Sequence, residues 1–98
     1  MNVISRRTLL GFAEVHAHAA GELATWFAVA RRANWRSFIE VRSMFLDADQ
    51  YKNLLIFNIR HNTYRLVVKV DYWARLLMIK AFLTHKQYER DGWKKWAR

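Results

Sequence analysis

The chain has 98 residues, of which 53% are apolar and 15% are aromatic. A chain of this size can bury a single core, so we expect one domain over residues 1–98. It contains no cysteine, which excludes disulfides, thiolate metal ligands and a cysteine nucleophile.

The formal net charge of +9 lies almost entirely in the second half of the chain. Residues 1–49 carry six Lys or Arg against five Asp or Glu (net +1), whereas residues 50–98 carry eleven against three (net +8). Such a charge suits polyanions: nucleic acid first, an acidic protein second and an anionic membrane surface third. Because no segment resembles a secretory signal or a membrane-spanning helix, the sequence predicts a cytoplasmic protein with no membrane partner.

The first half of the chain is predicted to be mainly helical. Asn2–Ile4 is expected to be a short strand, and apolar residues at helical spacing then indicate helices at residues 6–16 and 20–32. A third short helix is predicted after Ser37, because Ser37 and Glu40 match the capping-box pattern. The aromatic side chains expected in the core are Trp26, Phe27, Trp35 and Phe45.

The second half is predicted to form a three-strand meander after a polar connector at residues 47–53. The expected strands are residues 54–59, 63–71 and 75–83, where the apolar spacing changes from helical to strand-like. In the middle strand Arg65, Val67 and Lys69 fall on the face opposite the main apolar face. The predicted fold is therefore α+β: a small, mainly antiparallel sheet, covered by two or three N-terminal helices on one side and open on the other.

Polar side chains near the strand ends could bind and cleave a phosphodiester. Arg65, expected to be partly exposed, could clamp the phosphate, and His85 could exchange a proton with the 2′-hydroxyl or the leaving oxygen. Tyr88 could stack on a base or hydrogen-bond the phosphate. Asn62 is expected to be a structural turn residue in the hairpin between the first two strands of the meander. No metal or other cofactor is expected, because Arg65 and nearby lysines supply positive charge.

Each of these residues also has a structural interpretation. His85 could be a surface histidine that caps a strand end, Arg65 could pair with Asp49 or Asp71, and Tyr88 could pack the end of the sheet. Six further basic residues are candidates for RNA binding, although each could instead belong to a solvated face. They are Arg60, His61, Lys69, Lys80, Lys86 and Arg90.

His16 and His18 are poor joint metal ligands, because residues two apart point to different sides of a helix. We therefore expect surface or partly buried histidines there. The sequence predicts no metal site at these positions.

Several motifs carry a resemblance to a known family. They are Phe57-Asn58-Ile59, the run from Asn62 to Val67, and Thr84-His85 with Tyr88 three positions on, with shorter matches at residues 4–9, 33–36 and 47–49. In these motifs the chain resembles the HigB family of toxins from bacterial toxin–antitoxin modules. Residues 91–98 fall outside the resemblance and could form a flexible tail.

The resemblance implies a RelE-like fold and an endoribonuclease, or mRNA interferase, that cuts mRNA, commonly in the decoding site of the ribosome. It also implies a cognate helix-turn-helix antitoxin of the HigA type, through which an oligomeric complex could form. We interpret the chain as such a toxin, with RNA across the open basic face. Attack of the 2′-hydroxyl would give a cyclic phosphate and a 5′-hydroxyl, and translation and growth would stop.

Two other functions fit the sequence, since fold does not settle function. A ParE-like toxin binds a protein target without cleaving RNA, and Arg65 and His85 would then be dispensable for toxicity. A simple RNA-binding module would bind through the basic half without cleavage. Analysis of RNA products separates these alternatives.

The hairpin before Asn62 departs from the family. The family usually has one or two glycines there, where this chain has Arg60 and His61. Either Asn62 alone takes the left-handed conformation that glycine tolerates, or the loop has another geometry. In the first case Arg60 and His61 would project toward solvent or RNA.

Overall fold

The computed structural model describes residues 1–97. In chain order its elements are β1 (Asn2–Ile4), α1 (Arg6–Val15), α2 (Ala20–Arg32), α3 (Phe38–Met44), β2 (Asp49–Tyr51), β3 (Leu54–Ile59), β4 (Tyr64–Asp71), β5 (Leu76–Thr84) and α4 (His85–Glu89), with short 3₁₀ helices at Ala17–Ala19 and Gly92–Trp96. Residues 1–97 form one sheet with the strand order β1-β5-β4-β3-β2, in which the β1–β5 pair is parallel and the other pairs are antiparallel. The predicted α+β class is confirmed. Within residues 1–97, no helix has the length and apolar character needed to cross a membrane.

Strand β2 lies in the segment that the sequence analysis treated as a polar connector. It pairs with β3 across a tight turn, where Tyr51 lies opposite Leu54. Lys52, in the turn, takes a φ of 52°. A three-residue edge strand with one aromatic residue is too short to show a periodic pattern in the sequence. Its extended conformation depends on hydrogen bonding to β3.

Helices α1, α2 and α3 supply the apolar side chains that cover one face of the sheet. Trp26 and Trp35 are almost fully buried against this face, and both rings contact Phe57 of β3. Phe27 and Phe45 are partly buried and pack at the edge of the same cluster. The predicted core aromatics are therefore confirmed, and burial of each large side chain stabilises the fold by roughly 1.5–3 kcal/mol.

A β-bulge in β5 decides which of its side chains reach each face. The pairing of β4 with β5 skips Lys80, which has no partner in β4. As a result Ile79 and Phe82 both belong to the helix-side core, whereas Ala81 lies on the opposite face. The extra residue thus shifts the alternation of β5 by one position.

The second face of the sheet is covered at its centre by residues 91–97, which we call the C-terminal segment. Trp93 in this segment is 4% exposed and packs on apolar side chains of β3, β4 and β5. The buried members of this second apolar cluster are Leu54, Ile56, Val67, Ala81 and Trp93. The prediction of an open second face is therefore wrong at the centre of the sheet, because the segment left as a flexible tail packs there as far as residue 97.

Helix capping also differs from the prediction. The side chain of Ser37 makes no capping hydrogen bond, and Glu40 accepts from the backbone N–H of Arg36 at 2.8 Å instead. The capping box forms at the start of α4. There the Thr84 hydroxyl accepts from the backbone N–H of Gln87 (3.2 Å), and the Gln87 side chain accepts from the backbone N–H of Thr84 (2.9 Å).

The β3–β4 hairpin takes the second of the two geometries considered above. Arg60 and His61, rather than Asn62, are left-handed, with φ of 52° and 57°. Arg60 is exposed, but its polar groups bind neighbouring elements. Its backbone N–H donates to the Glu22 carboxylate (2.8 Å), and its guanidinium donates to the carbonyl of His18 (3.0 Å). These bonds anchor the hairpin to α2 and the preceding 3₁₀ helix.

This geometry predicts that His61→Gly stabilises the protein. A left-handed conformation costs a non-glycine residue about 1–2 kcal/mol. Glycine loses more conformational entropy on folding, which reduces the gain in stability by about 0.5–1 kcal/mol. The free energy of unfolding in urea should therefore rise by up to about 1 kcal/mol. Asn62→Gly is the control and should give no gain, because Asn62 is not left-handed. A gain for Asn62→Gly alone would show that the left-handed position is Asn62.

Candidate active site

The side chains of Arg65, His85 and Tyr88 come together at one end of the sheet. Tyr64 pairs with Thr84, so the start of β4 lies beside the end of β5. The backbone N–H of His85 donates to the carbonyl of Thr63 (3.2 Å), which joins α4 to the hairpin. Antiparallel pairing thus brings together candidate residues that are twenty or more positions apart in sequence.

Arg65 is 8% exposed and is the one charged side chain that is buried in residues 1–97. Its guanidinium donates to the backbone carbonyls of Asn62 (3.0 Å) and Tyr64 (3.3 Å) and lies 5.2 Å from the centre of the Tyr88 ring. The expectation of partial exposure is wrong, because α4 folds back over this part of β4.

No ion pair links Arg65 to Asp49, Asp71 or any other carboxylate within the described chain. A guanidinium is always protonated, and two carbonyls and an aromatic ring hold this one in place. It therefore presents positive charge that no carboxylate neutralises. Such a group is suited to binding an anion.

His85 is the first residue of α4, and its side chain is 52% exposed. Its Nδ1 atom lies 3.4 Å from a terminal nitrogen of Arg65, and its Nε2 atom lies 2.8 Å from the Glu89 carboxylate. Glu89 was missed by the sequence analysis. The four-residue spacing of His85 and Glu89, directly after the Thr84–Gln87 capping pattern, is the signal that could have found it.

Tyr88 is half-buried between the sheet and the C-terminal segment. Its ring stacks on Trp93 with centres 5.0 Å apart and planes 9° apart, and the Trp93 indole donates to the Tyr88 carbonyl (2.9 Å). Burial raises the pKa of the Tyr88 hydroxyl and Asp49 adds to the rise, whereas Arg65 opposes it. The hydroxyl therefore stays protonated at neutral pH and can donate a hydrogen bond. Since the ring already stacks on Trp93, hydrogen bonding suits Tyr88 better than base stacking.

The other RNA-binding candidates are divided between two regions. Lys86 and Arg90 are exposed on α4 and just after it, and His61 is exposed in the adjacent hairpin. Lys69 is four residues from Arg65 along β4, or about 13 Å, and Val67 of the second apolar cluster lies between them.

Two of these candidates have structural positions of their own. Lys80 is the unpaired bulge residue of β5. Arg60 is bonded to the carbonyl of His18. The structure thus assembles part of the predicted basic surface at the active-site end and leaves Lys69, Lys80 and Arg60 apart from it.

The rings of His16 and His18 are close together, contrary to prediction. Their centres are 6.2 Å apart, and both contact the Tyr64 ring, whose hydroxyl lies 2.7 Å from Nε2 of His18. They converge because α1 ends at Val15 and the chain enters a 3₁₀ helix. Within residues 1–97, no group of three or more His, Cys, Asp or Glu residues could hold a metal ion.

A mainly antiparallel five-stranded sheet in residues 1–97, with helices packed on one face, is consistent with a RelE-like fold. The model of the HigB toxin family, described as the RelE-like toxic component of a toxin–antitoxin system, matches residues 19–91. This match covers most of the chain, and the chain belongs to that family. It is the toxin of a toxin–antitoxin system, which implies an antitoxin partner. A comparison with curated proteins gives no match.

Proposed function

We propose that this toxin is an endoribonuclease that cuts mRNA. The observation that carries the proposal is the buried Arg65 guanidinium, which has no carboxylate partner in the described chain and lies 3.4 Å from the His85 imidazole. A fixed cation beside an imidazole that can give or take a proton is what cleavage of a phosphodiester needs.

The reaction uses the 2′-hydroxyl of the RNA itself as the nucleophile. It attacks the adjacent phosphorus, the 5′-oxygen of the next nucleotide leaves, and the products are a cyclic phosphate and a 5′-hydroxyl. Arg65 stabilises the negative charge that grows on the phosphate, His85 exchanges a proton, and Tyr88 hydrogen-bonds a phosphate oxygen. With so few acid and base groups, cleavage of free RNA is expected to be slow.

The ribosome would compensate by positioning the mRNA. Exposed Lys86 and Arg90 next to the site suit contacts with the phosphates of mRNA or ribosomal RNA. This activity places the toxin in the cytoplasm, where it inhibits translation and growth until a helix-turn-helix antitoxin of the HigA type silences it.

The test is to map RNA ends across the transcriptome after brief induction of the toxin. We expect new 5′-hydroxyl ends inside coding regions, and none after induction of His85→Gln at the same protein level. Growth arrest without new ends would contradict the proposal and is the result for a toxin with a protein target. RNA binding without new ends is the result for a simple RNA-binding module.

Binding to RNA or ribosomes should weaken steeply with salt, because neutralised phosphates release counterions. Lys69, Lys80 and Lys86 replaced together by Gln should flatten the dependence of log K on log [salt]. The slope should fall by up to about 0.7–0.9 for each phosphate that the variant no longer neutralises. Filter binding at four salt concentrations measures it.

The control removes the same charge from the helical half of the molecule. It replaces Arg7, Arg31 and Arg32 by Gln. Equal slopes for the two triple variants would show that net charge, rather than the basic second half, governs binding.

A further inference from the structure

His85 has a different partner at each ring nitrogen. Nδ1 faces the Arg65 guanidinium at 3.4 Å, and Nε2 faces the Glu89 carboxylate at 2.8 Å. A guanidinium can only donate hydrogen bonds, and an ionised carboxylate can only accept them. These partners assign the proton of the neutral imidazole to Nε2 and leave the Nδ1 lone pair facing Arg65.

The position of Glu89 is unusual for a chain of this charge. Residues 50–98 contain only three acidic residues, which are Asp71, Glu89 and Asp91. Asp71 accepts from the backbone N–H of Ala74 (2.9 Å), and Asp91 pairs with Lys94 (3.5 Å). Glu89 instead places a carboxylate against the imidazole of the candidate active site, where its negative charge would repel RNA. A contribution to catalysis would offset this repulsion.

We infer that Glu89 is a positioning residue that holds His85 in the Nε2–H tautomer, and that Nδ1 of His85 takes the proton from the 2′-hydroxyl of RNA. This inference rests on the proposed endoribonuclease function and assigns the base of that reaction. The side chain of Glu89 does not touch the reacting atoms and acts through the imidazole.

The geometry at Nδ1 suits such a base. Its contact with Arg65, at 3.4 Å, is long for a hydrogen bond. A 2′-hydroxyl can therefore replace the guanidinium as the partner of Nδ1, while the donors of Arg65 that no backbone carbonyl accepts remain available to the phosphate. The base and the phosphate clamp are then neighbours that face the same nucleotide.

The O2′–H bond breaks, its proton moves to Nδ1, and the electron pair on O2′ forms the bond to phosphorus. The bond from phosphorus to O5′ breaks, and O5′ keeps the electron pair and takes a proton from water. The resulting imidazolium carries a proton on both nitrogens, and the Glu89 carboxylate stabilises its charge. Transfer of the Nδ1 proton to the hydroxide left by that water restores the neutral base.

Local packing keeps this arrangement in place. The Thr84–Gln87 capping box defines the first turn of α4, and the Trp93 indole holds the carbonyl of Tyr88 at its end. His85 and Glu89 therefore lie on a short helix whose two ends are both held by side-chain hydrogen bonds.

The first test reads the tautomer directly by NMR of ¹⁵N-histidine-labelled toxin, with His85→Gln used to assign the signals. We expect the Nε2–H tautomer in the parent protein and a mixture of tautomers in Glu89→Ala. The Nδ1–H form in the parent would overturn the inference even if the toxin cleaves RNA. If the parent has the Nε2–H form but cleaves no RNA, the proposed function and the role of Nδ1 as a base are both wrong. The positioning of His85 by Glu89 would then be the part that is confirmed.

The second test measures cleavage of ribosome-bound mRNA under single-turnover conditions. A positioned base contributes about 10²–10⁴-fold, so Glu89→Ala should lower the maximal rate about tenfold or more, with the half-saturating concentration unchanged. Glu89→Gln keeps an acceptor for Nε2–H and should recover part of the rate. The matched control is Glu14→Ala, which changes net charge equally at an exposed position on α1. Equal rates for Glu89→Ala and Glu14→Ala, or a faster Glu89→Ala, would overturn the inference.

Discussion

Arg65→Ala should abolish growth arrest and lower RNA cleavage at least about a hundredfold. Removal of one donor that stabilises charge in an active site raises the barrier by about 2.7–4 kcal/mol. The substitution should also destabilise the protein, because Arg65 is 8% exposed and lies against the Tyr88 ring. Toxicity on induction and single-turnover cleavage measure the first effect, and urea unfolding measures the second.

Arg65→Lys separates chemistry from folding. Lysine keeps the charge but cannot donate to two carbonyls and a phosphate through a planar fork, so cleavage should remain strongly impaired while the fold is retained. Circular dichroism and antitoxin binding report the fold. Full toxicity in a stable Arg65→Ala or Arg65→Lys protein would show that Arg65 is not the phosphate clamp.

Trp93→Ala should lower the free energy of unfolding by about 3–5 kcal/mol, the usual cost of truncating a buried Trp. Trp93 packs in the second apolar cluster, and its indole donates to the Tyr88 carbonyl. Total stabilities of small domains are about 5–15 kcal/mol, so the loss would be a large share. RNA cleavage should fall as well, because the indole no longer holds Tyr88 and the end of α4 in position.

Trp73→Ala is the matched control for that variant. Trp73 lies in the β4–β5 turn and is 96% exposed, so its truncation should change stability by less than about 0.5 kcal/mol. Urea unfolding of both proteins makes the comparison. Unchanged stability in Trp93→Ala would mean that the C-terminal segment does not pack on the sheet.

Periodicity predicted the long elements of the fold well. Helix α2 has the predicted bounds, and β4 has the predicted alternation, with Leu66 in the helix-side core and Val67 on the other face. These patterns are strong because each element buries one continuous apolar face. Strand β2 and the bulge at Lys80 were missed, because hydrogen bonding to a neighbouring strand decides them.

The candidate site was predicted as a set of residue types rather than as an arrangement. Side-chain chemistry and the family resemblance singled out Arg65, His85 and Tyr88. The burial of Arg65 could not be predicted, because it depends on α4 folding back over β4. Glu89 was missed because a pair of opposite charges on a helix is usually a weak surface contact. The His85–Glu89 pair gains a functional interpretation here because Arg65 lies at the other nitrogen of the same imidazole.

The amino-acid sequence alone determines the properties of this toxin that are local or depend on composition. The α+β class and the concentration of charge in residues 50–98 are of this kind, because each depends on neighbours in sequence or on simple counts. The candidate groups came from side-chain chemistry together with the motifs that resemble the family. The three-dimensional structure settled the rest: the left-handed hairpin at Arg60 and His61, the covering of the second face by Trp93, and the meeting of Arg65 and Glu89 with the two ring nitrogens of His85. Each of these requires groups that are far apart in the chain, or that have no periodic pattern, to meet at hydrogen-bond or van der Waals distance.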